Sequence, residues 1–372
     1  MSQSEASTAV TSLSLNDYLI DRIRREGPIT FHEWMREALY NDPAGYYVRP
    51  GATIWGRAGD YRTSPETSEL FAATFARFFA NLYEELGEPE SFNIVECGAG
   101  DGSFAEGVLH SLHSFFPNVY SATTYFVVEV SFNRHSDVRQ RLARFATKVE
   151  LINDGNLYEL NPGIVFSNEL LDAFPVHLIT KRNGELLELY VGVNASGAFD
   201  WVAGPLSTAR LHDMYQENGI EIETDQIVEL STQIDKWLMT VAKNLRRGYV
   251  ITVDYGAEAK ELYDNPDRVQ GTLRAYARHN FVKALSHPGE RDITAHVNWT
   301  RVRSVGSELG LRTVRFQPQD KFLLEAGLLD ELERRLASAS DEAEKIRVTT
   351  AVREMILPNG MAASFQVLVQ EK

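Results

Sequence analysis

Residues Phe92 to Ser103 read Phe-Asn-Ile-Val-Glu-Cys-Gly-Ala-Gly-Asp-Gly-Ser. The apolar run Phe92 to Cys97 predicts a short buried strand, and Phe104 to Phe116 predicts a helix. Between them Gly98, Gly100 and Gly102 take the chain through a tight turn, since a backbone that bends sharply against a ligand has no room for a Cβ. Strand, glycine-rich turn and helix N-terminus are together the parts of a nucleotide-type cofactor site. The dinucleotide fingerprint is G-x-G-x-x-G. Here the spacing is G-x-G-x-G, with Glu96 two residues before the first glycine. S-adenosylmethionine carries a cationic sulfonium and an amino acid tail, which suit an acid beside the loop; a pyrophosphate would be repelled. The expected cofactor is therefore S-adenosylmethionine, with NAD as the rival and a turn without any ligand as the plain alternative.

The rest of the chain supplies the strands and helices that such a turn needs. Strands are expected at Asn93–Cys97, Thr124–Val130, Val149–Ile152, Gly163–Ser167, Gly248–Gly256, Arg312–Phe316 and Ser364–Val369. Helical periodicity is read at Asn16–Glu26, Phe31–Leu39, Glu66–Leu86, Arg134–Phe145, Asp225–Leu245, Val297–Leu309, Leu323–Ala337 and Asp341–Leu357. Strands alternating with helices imply right-handed crossovers and a parallel sheet, an α/β fold. Val176–Thr180, Leu186–Val193 and Phe199–Val202, with an Asn183-Gly184 turn, read as an inserted antiparallel piece. The expected organisation is a helical segment with a covering loop over 1–90, a first half of the sheet domain over 91–175, an antiparallel insertion over 176–224, and a second half over 225–372. That second half holds a further insertion at about 257–298.

Composition narrows the partners. A formal net charge of −15 over 372 residues argues against a nucleic-acid backbone, which is bound by basic groups. No apolar run is long enough for a membrane span. The single cysteine, Cys97, excludes an internal disulfide and a cysteine-based metal site, and His279, His287 and His296 are too scattered for a metal cluster. The stretch Met1 to Leu15 is rich in Ser and Thr and has no Arg, unlike a signal peptide or an organelle presequence, so a cytoplasmic location is expected.

Several polar residues fall where chemistry is expected. Glu129, about thirty residues beyond the glycine loop and at the end of a strand, can accept both ribose hydroxyls, though NAD enzymes use the same position. Asp154 or Asn153 can bond an adenine amino group. Asn168, Glu169 and Asp172 follow a buried strand, and the two acids lie three apart, on one face if the segment is helical. Two carboxylates can hold one cation, and a guanidinium has the matching fork; a capped helix N-terminus is the structural alternative.

In sum these motifs resemble the MidA-like family, whose mitochondrial members are arginine methyltransferases that assist assembly of respiratory complex I. The resemblance runs from about Tyr18 to Val369. It rests on Gly27-Pro28-Ile29-Thr30-Phe31, Asp42-Pro43 with Gly45-Tyr46-Tyr47, Gly59 to Glu66, the glycine loop, Asn168 to Val176, Asp254-Tyr255-Gly256, Gly271-Thr272-Leu273-Arg274 and Asp292-Ile293-Thr294-Ala295-His296. It implies a Rossmann-like methyltransferase sheet of seven strands, the last antiparallel, and a protein substrate presenting an arginine. It assigns Glu169 and Asp172 to a guanidinium clamp and His296 to positioning or accepting the released proton. Gly59, Asp60, Thr63 and Ser64 are assigned to a loop closing over the site, and Glu96, Gly98, Gly100, Gly102, Glu129, Asp154 and Asn168 to the cofactor. The family loop often reads Gly-Pro-Gly-Arg-Gly, where this chain has Asp101 in place of the Arg. A small-molecule methyltransferase and a non-catalytic assembly factor share the same motifs.

Overall fold

Seven strands, numbered here in chain order, make the main sheet: β1 (Phe92–Cys97), β2 (Thr123–Val128), β3 (Val149–Ile152), β4 (Gly163–Asn168), β5 (Gly248–Ala257), β6 (Arg312–Pro318) and β7 (Phe365–Glu371). The structure, a computed structural model, describes residues 14–50, 69–152, 159–217, 219, 221–277, 280–357 and 364–372. The spatial order is 3-2-1-4-5-7-6, and the short strand Val297–Asn298 adds to the end of β5. β1 to β5 are parallel. β7 runs antiparallel to both β5 and β6.

Register sets the functional edge. Cys97 lies opposite Val128 and Ser167, and Asn168 lies opposite Val253. Gly98, Glu129 and Glu169, which leave these strands, and Asp254, which follows the last β5 residue paired with β4, therefore lie at one edge of the sheet, the carboxyl end where open α/β sheets bind ligands. The central strands are apolar almost throughout because both faces are covered. On one face the helix Glu69–Glu85 buries Phe71, Phe75 and Phe79, and Phe104 stacks on Phe166 with centroids 4.4 Å apart. On the other, the helices Thr232–Asn244 and Trp299–Glu308 bury Leu238, Val241, Trp299 and Val302.

A second, antiparallel sheet runs in the order Ile29–Thr30, Glu185–Val193, His177–Arg182, Ile227–Leu230, with Phe199–Gly204 also paired to Glu185–Val193. Helices Leu15–Glu26 and Phe31–Tyr40 pack on it. Thr30 caps the second of them in a reciprocal box with Glu33. Three helical readings need correction. Asp225–Leu245 is not one helix: Ile227–Leu230 alternates buried and half-buried residues as a strand before Thr232–Asn244 turns helical. Arg134–Phe145 holds a seven-residue helix, His135–Arg141, between two 3-10 turns. Leu323–Ala337 is broken by Gly327, at φ +99, into Gln319–Glu325 and Leu328–Ala337. The poorly periodic stretch before His296 is also built, with a helix at Ala259–Tyr263 and a three-stranded sheet of Asn280–Phe281, Arg274–Ala277 and Asp292–Thr294.

Candidate active site

The glycine loop leaves β1 with Gly98, Gly100 and Gly102 at φ +75, +58 and +78, conformations that a side chain strains. A Cβ on Gly98 would also meet Leu170 Cδ1 at 3.0 Å. Glu129, buried just beyond β2, ties itself to this loop. Its Oε2 accepts from Gly100 N at 3.0 Å and its Oε1 from Ser131 N at 2.8 Å. Burial pushes its pKa up, while these two N–H groups pull it down. Asp101 turns away from the loop interior: Oδ1 accepts from Ser103 N at 3.0 Å and Oδ2 from Arg141 Nη2 at 2.8 Å. Its charge is thus shared with a cation. Glu96 is covered as well. Tyr125 donates to its Oε2 at 2.8 Å, and burial pushes its pKa up to about 8. Near neutral pH it is largely protonated, so it brings little of the negative charge that its position suggests.

The acids after β4 lie on a turn, which corrects the helical face considered above. Glu169 sits at φ +50, its N–H donates to Val253 O at 2.9 Å, and Asn168 Nδ2 donates to its Oε1 at 3.2 Å. Asp254, fully buried in β5 just past its pairing with β4, shapes the turn from below. Its Oδ2 accepts from Leu171 N at 2.9 Å and Asp172 N at 3.3 Å, and its Oδ1 accepts from Tyr255 N at 2.9 Å. Asp172 is 3% exposed, and its Oδ1 has no hydrogen-bond partner. Burial pushes its pKa up to about 7, against a hydrogen bond from Tyr255 and with help from the charge of Asp292. Asp254 is pushed up further by burial and by the charges of Asp172 and Glu169, because like charges this close in a poorly solvated site do not all ionise.

Two other segments close on this turn. Tyr40 donates to Ala173 O at 3.0 Å, and Tyr40 and Tyr47 stack with centroids 5.5 Å apart. Tyr47 donates to Asp292 Oδ1 at 2.6 Å, and its carbonyl accepts from Arg134 Nε at 3.3 Å. The N-terminal segment thus spans from the acid turn to the loop after Glu129. His296 is held by its backbone N–H, which donates to Thr272 Oγ1 at 3.0 Å, and its ring meets that of Tyr255 at 5.6 Å. Its Nδ1 has no hydrogen-bond partner, and the residue lines a cavity of about 30 Å³ with Glu229, Ser231 and Arg301. Burial, with Arg268 and Arg274 nearby, lowers its pKa to about 4, so it is neutral near pH 7. Of the residues singled out in the sequence, Glu96, the three loop glycines, Glu129, Asn168, Glu169, Asp172 and His296 lie along this edge. Gly59, Asp60, Thr63, Ser64 and Asp154 lie outside the described residues. Sequence reasoning missed Asp254 and the Tyr47–Asp292 pair as site groups. All three stand in motifs quoted above, but nothing local signals that they converge.

The residues present fit S-adenosylmethionine. The three loop glycines hold left-handed backbone that a side chain would strain, a buried acid follows β2, and two polar atoms along the same sheet edge, Ser131 Oγ and Asn168 Oδ1, are buried without hydrogen-bond partners. With a sheet in the order 3-2-1-4-5-7-6 and an antiparallel seventh strand, they define the class of S-adenosylmethionine-dependent methyltransferases. The chain belongs to a family of such methyltransferases, whose model matches residues 74–317. A protein from Burkholderia thailandensis, solved with S-adenosyl-homocysteine bound, is 30% identical, with 96% of this chain and 92% of that one covered and a TM-score of 0.87. Among curated relatives, the mitochondrial protein arginine methyltransferase NDUFAF7 homolog of Drosophila melanogaster is 28% identical over 83% of this chain and 74% of that protein. Human NDUFAF7 is 25% identical over 94% and 81%. These relatives are named as mitochondrial, which overturns the cytoplasmic expectation; the composition of Met1 to Leu15 does not assign a compartment. Among the described residues no helix is long and apolar enough to cross a membrane.

Proposed function

We propose that this methyltransferase acts on the guanidinium of an arginine in a protein substrate, as the names of its relatives suggest. The observation that carries the reading is Asp172 Oδ1, a carboxyl oxygen buried without a hydrogen-bond partner, on a turn whose Leu170 side chain rests against Gly98. An acid in that state awaits a donor, and its turn lies beside the cofactor loop. Gly98, Gly100 and Gly102 let the backbone approach S-adenosylmethionine, Glu129 accepts from the ribose hydroxyls, and Asn168 borders the same pocket. Glu96 backs the loop as a neutral hydrogen-bonded acid, Asp154 takes the adenine amino group, and Gly59, Asp60, Thr63 and Ser64 belong to the covering loop. Bound there, the cofactor supplies a methyl carbon made electrophilic by its sulfonium.

A guanidinium is a poor nucleophile, because its lone pairs are delocalised and it stays protonated. Glu169 and Asp172 localise its positive charge on one side and leave one Nη free to face the methyl group. As the Nη–CH₃ bond forms and the S–CH₃ bond breaks, that electron pair stays on sulfur and the nitrogen sheds one proton. Asp172 takes the proton, since its raised pKa of about 7 matches the working pH of a general base. The neutral His296 orients Tyr255, the hydrogen-bond partner of Asp172, rather than accepting the proton itself. Labelled-methyl transfer to a cell lysate, followed by mapping of the modified residue, tests the reading. Label on an arginine Nη is expected; label only on a small molecule or on another side chain contradicts it.

A further inference from the structure

The short turn after Glu129 does more than follow a cofactor acid. Glu129 Oε1 accepts from Ser131 N at 2.8 Å, and the Glu129 carbonyl accepts from His135 Nε2 at 2.9 Å. Both flanks of the 3-10 turn Phe132–Arg134 are therefore pinned to one residue. From this turn two side chains reach the N-terminal segment. Asn133 Nδ2 donates to Val48 O at 3.0 Å, and Arg134 Nε donates to Tyr47 O at 3.3 Å. We propose that Asn133 and Arg134 are positioning residues, which make the seating of residues 45–48 depend on an occupied cofactor loop. This rests on the placing of the cofactor against Glu129 above, and not on the arginine reading.

At the cofactor end, Glu129 also holds Gly100 N of the glycine loop. A carboxylate has about four acceptor sites, so ribose hydroxyls bind the same group that fixes Ser131. Arg134 feels that group as well: burial lowers its pKa, and the charges of Glu129 and Asp101 act to raise it. At the other end, residues 45–48 fold back on the helix Phe31–Tyr40. Tyr46 N donates to Ala38 O and Tyr47 N to Leu39 O, each at 2.9 Å, and Tyr46 is fully buried. The same helix ends at Tyr40, whose hydroxyl donates to Ala173 O, next to Asp172. A loop that grips this segment gives up conformational freedom. A loop already fixed by a bound ribose has given it up, and it grips at less cost. Cofactor binding thus firms the segment that borders the acid turn, and by linkage the acceptor meets a firmer edge once the cofactor is in place.

Hydrogen–deuterium exchange over the peptide holding Tyr46 and Tyr47 tests this, with and without saturating S-adenosyl-homocysteine. The wild type is compared with Asn133→Ala and Asn133→Gln; Asn133 is exposed, so both variants spare the core. Calorimetry gives the S-adenosyl-homocysteine Kd of each, and of Glu129→Gln. In the wild type the ligand is expected to slow exchange of these amides by roughly fivefold or more. In Asn133→Ala the ligand still binds and most of that slowing is lost. Asn133→Gln, which keeps an amide donor, recovers part of it, and adding Arg134→Leu to Asn133→Ala removes what is left. A merely structural Asn133 would speed exchange equally in both states; an unchanged ratio in Asn133→Ala, or slowing that survives the double change, overturns the proposal. So does wild-type exchange that ignores a ligand which calorimetry shows to be bound. An unchanged Kd in Glu129→Gln overturns the placing of the cofactor, and this inference with it.

Discussion

Glu96 shows how far a residue's surroundings can alter its role. Next to the glycine loop it reads as a charge for a cationic cofactor, yet the fold buries it under Tyr125 with a pKa pushed up to about 8. A carboxyl whose folded pKa lies above its unfolded one binds its proton more tightly in the native state, so it costs stability as pH rises from about 4.5 through about 8. Glu96→Gln is therefore expected to flatten the fall in stability over that window and to gain on the order of 1–3 kcal/mol at its upper end. Denaturant melts of both proteins across pH check this; equal slopes would mean that Glu96 is ionised in the fold. Gly98 is the opposite case: the tight turn expected of it is there, with φ at +75. Gly98→Ala is expected to cost about 1–2 kcal/mol for the left-handed backbone alone. It also presses a methyl toward Leu170 Cδ1, 3.0 Å from the Cβ position, and so disturbs the join between cofactor loop and acid turn. Calorimetry should show weakened S-adenosylmethionine binding.

At the scale of elements, what could be read depended on how local the cause was. The central strands of the main sheet were legible because burial on both faces makes them apolar runs. Ile227–Leu230 was not, since its four residues continue a plausible helical period and only pairing with His177–Arg182 makes them a strand. The acid turn was located by its residues but not by its shape, which comes from Asp254, 82 residues on from Asp172, holding two of its N–H groups. The Gly271 motif has a similar long-range cause. Glu229 Oε1 accepts from Thr272 N at 2.6 Å and Leu273 N at 2.9 Å, and Thr272 Oγ1 in turn accepts from His296 N. Gly271, at φ +71, lets the backbone approach that carboxylate, and a Cβ would lie 2.3 Å from Glu229 Oε1. Gly271→Ala is expected to loosen the insertion, lower Tm, and raise KM for the protein substrate while leaving cofactor Kd within about twofold, as the added Cβ meets Glu229 rather than the glycine loop. A cofactor Kd that rises in step with substrate KM would show that the insertion also builds the cofactor pocket.

The whole molecule is built on a methyltransferase sheet, and the edge proposed for the substrate is assembled from three separate parts of the chain. The ends of β1 and β2 bring the residues proposed for the cofactor, β4 and β5 bring Glu169, Asp172 and Asp254, and the N-terminal segment and late insertion bring Tyr47 and Asp292. Apart from Asp254, the first two parts were legible because strand ends sit next to each other by topology. The third was not, because Tyr47 and Asp292 are separated by 245 positions and meet only when both segments fold onto the acid turn. The separation of cofactor edge and acid turn is the central claim, and Glu169→Gln tests it most directly, with S-adenosylmethionine binding by calorimetry and methyl transfer to protein measured on the same preparation. The expected result is a cofactor Kd within about twofold of the wild type and a kcat lowered by about a hundredfold or more, since the lost carboxylate acts on the acceptor's charge. Turnover near the wild-type rate would contradict it.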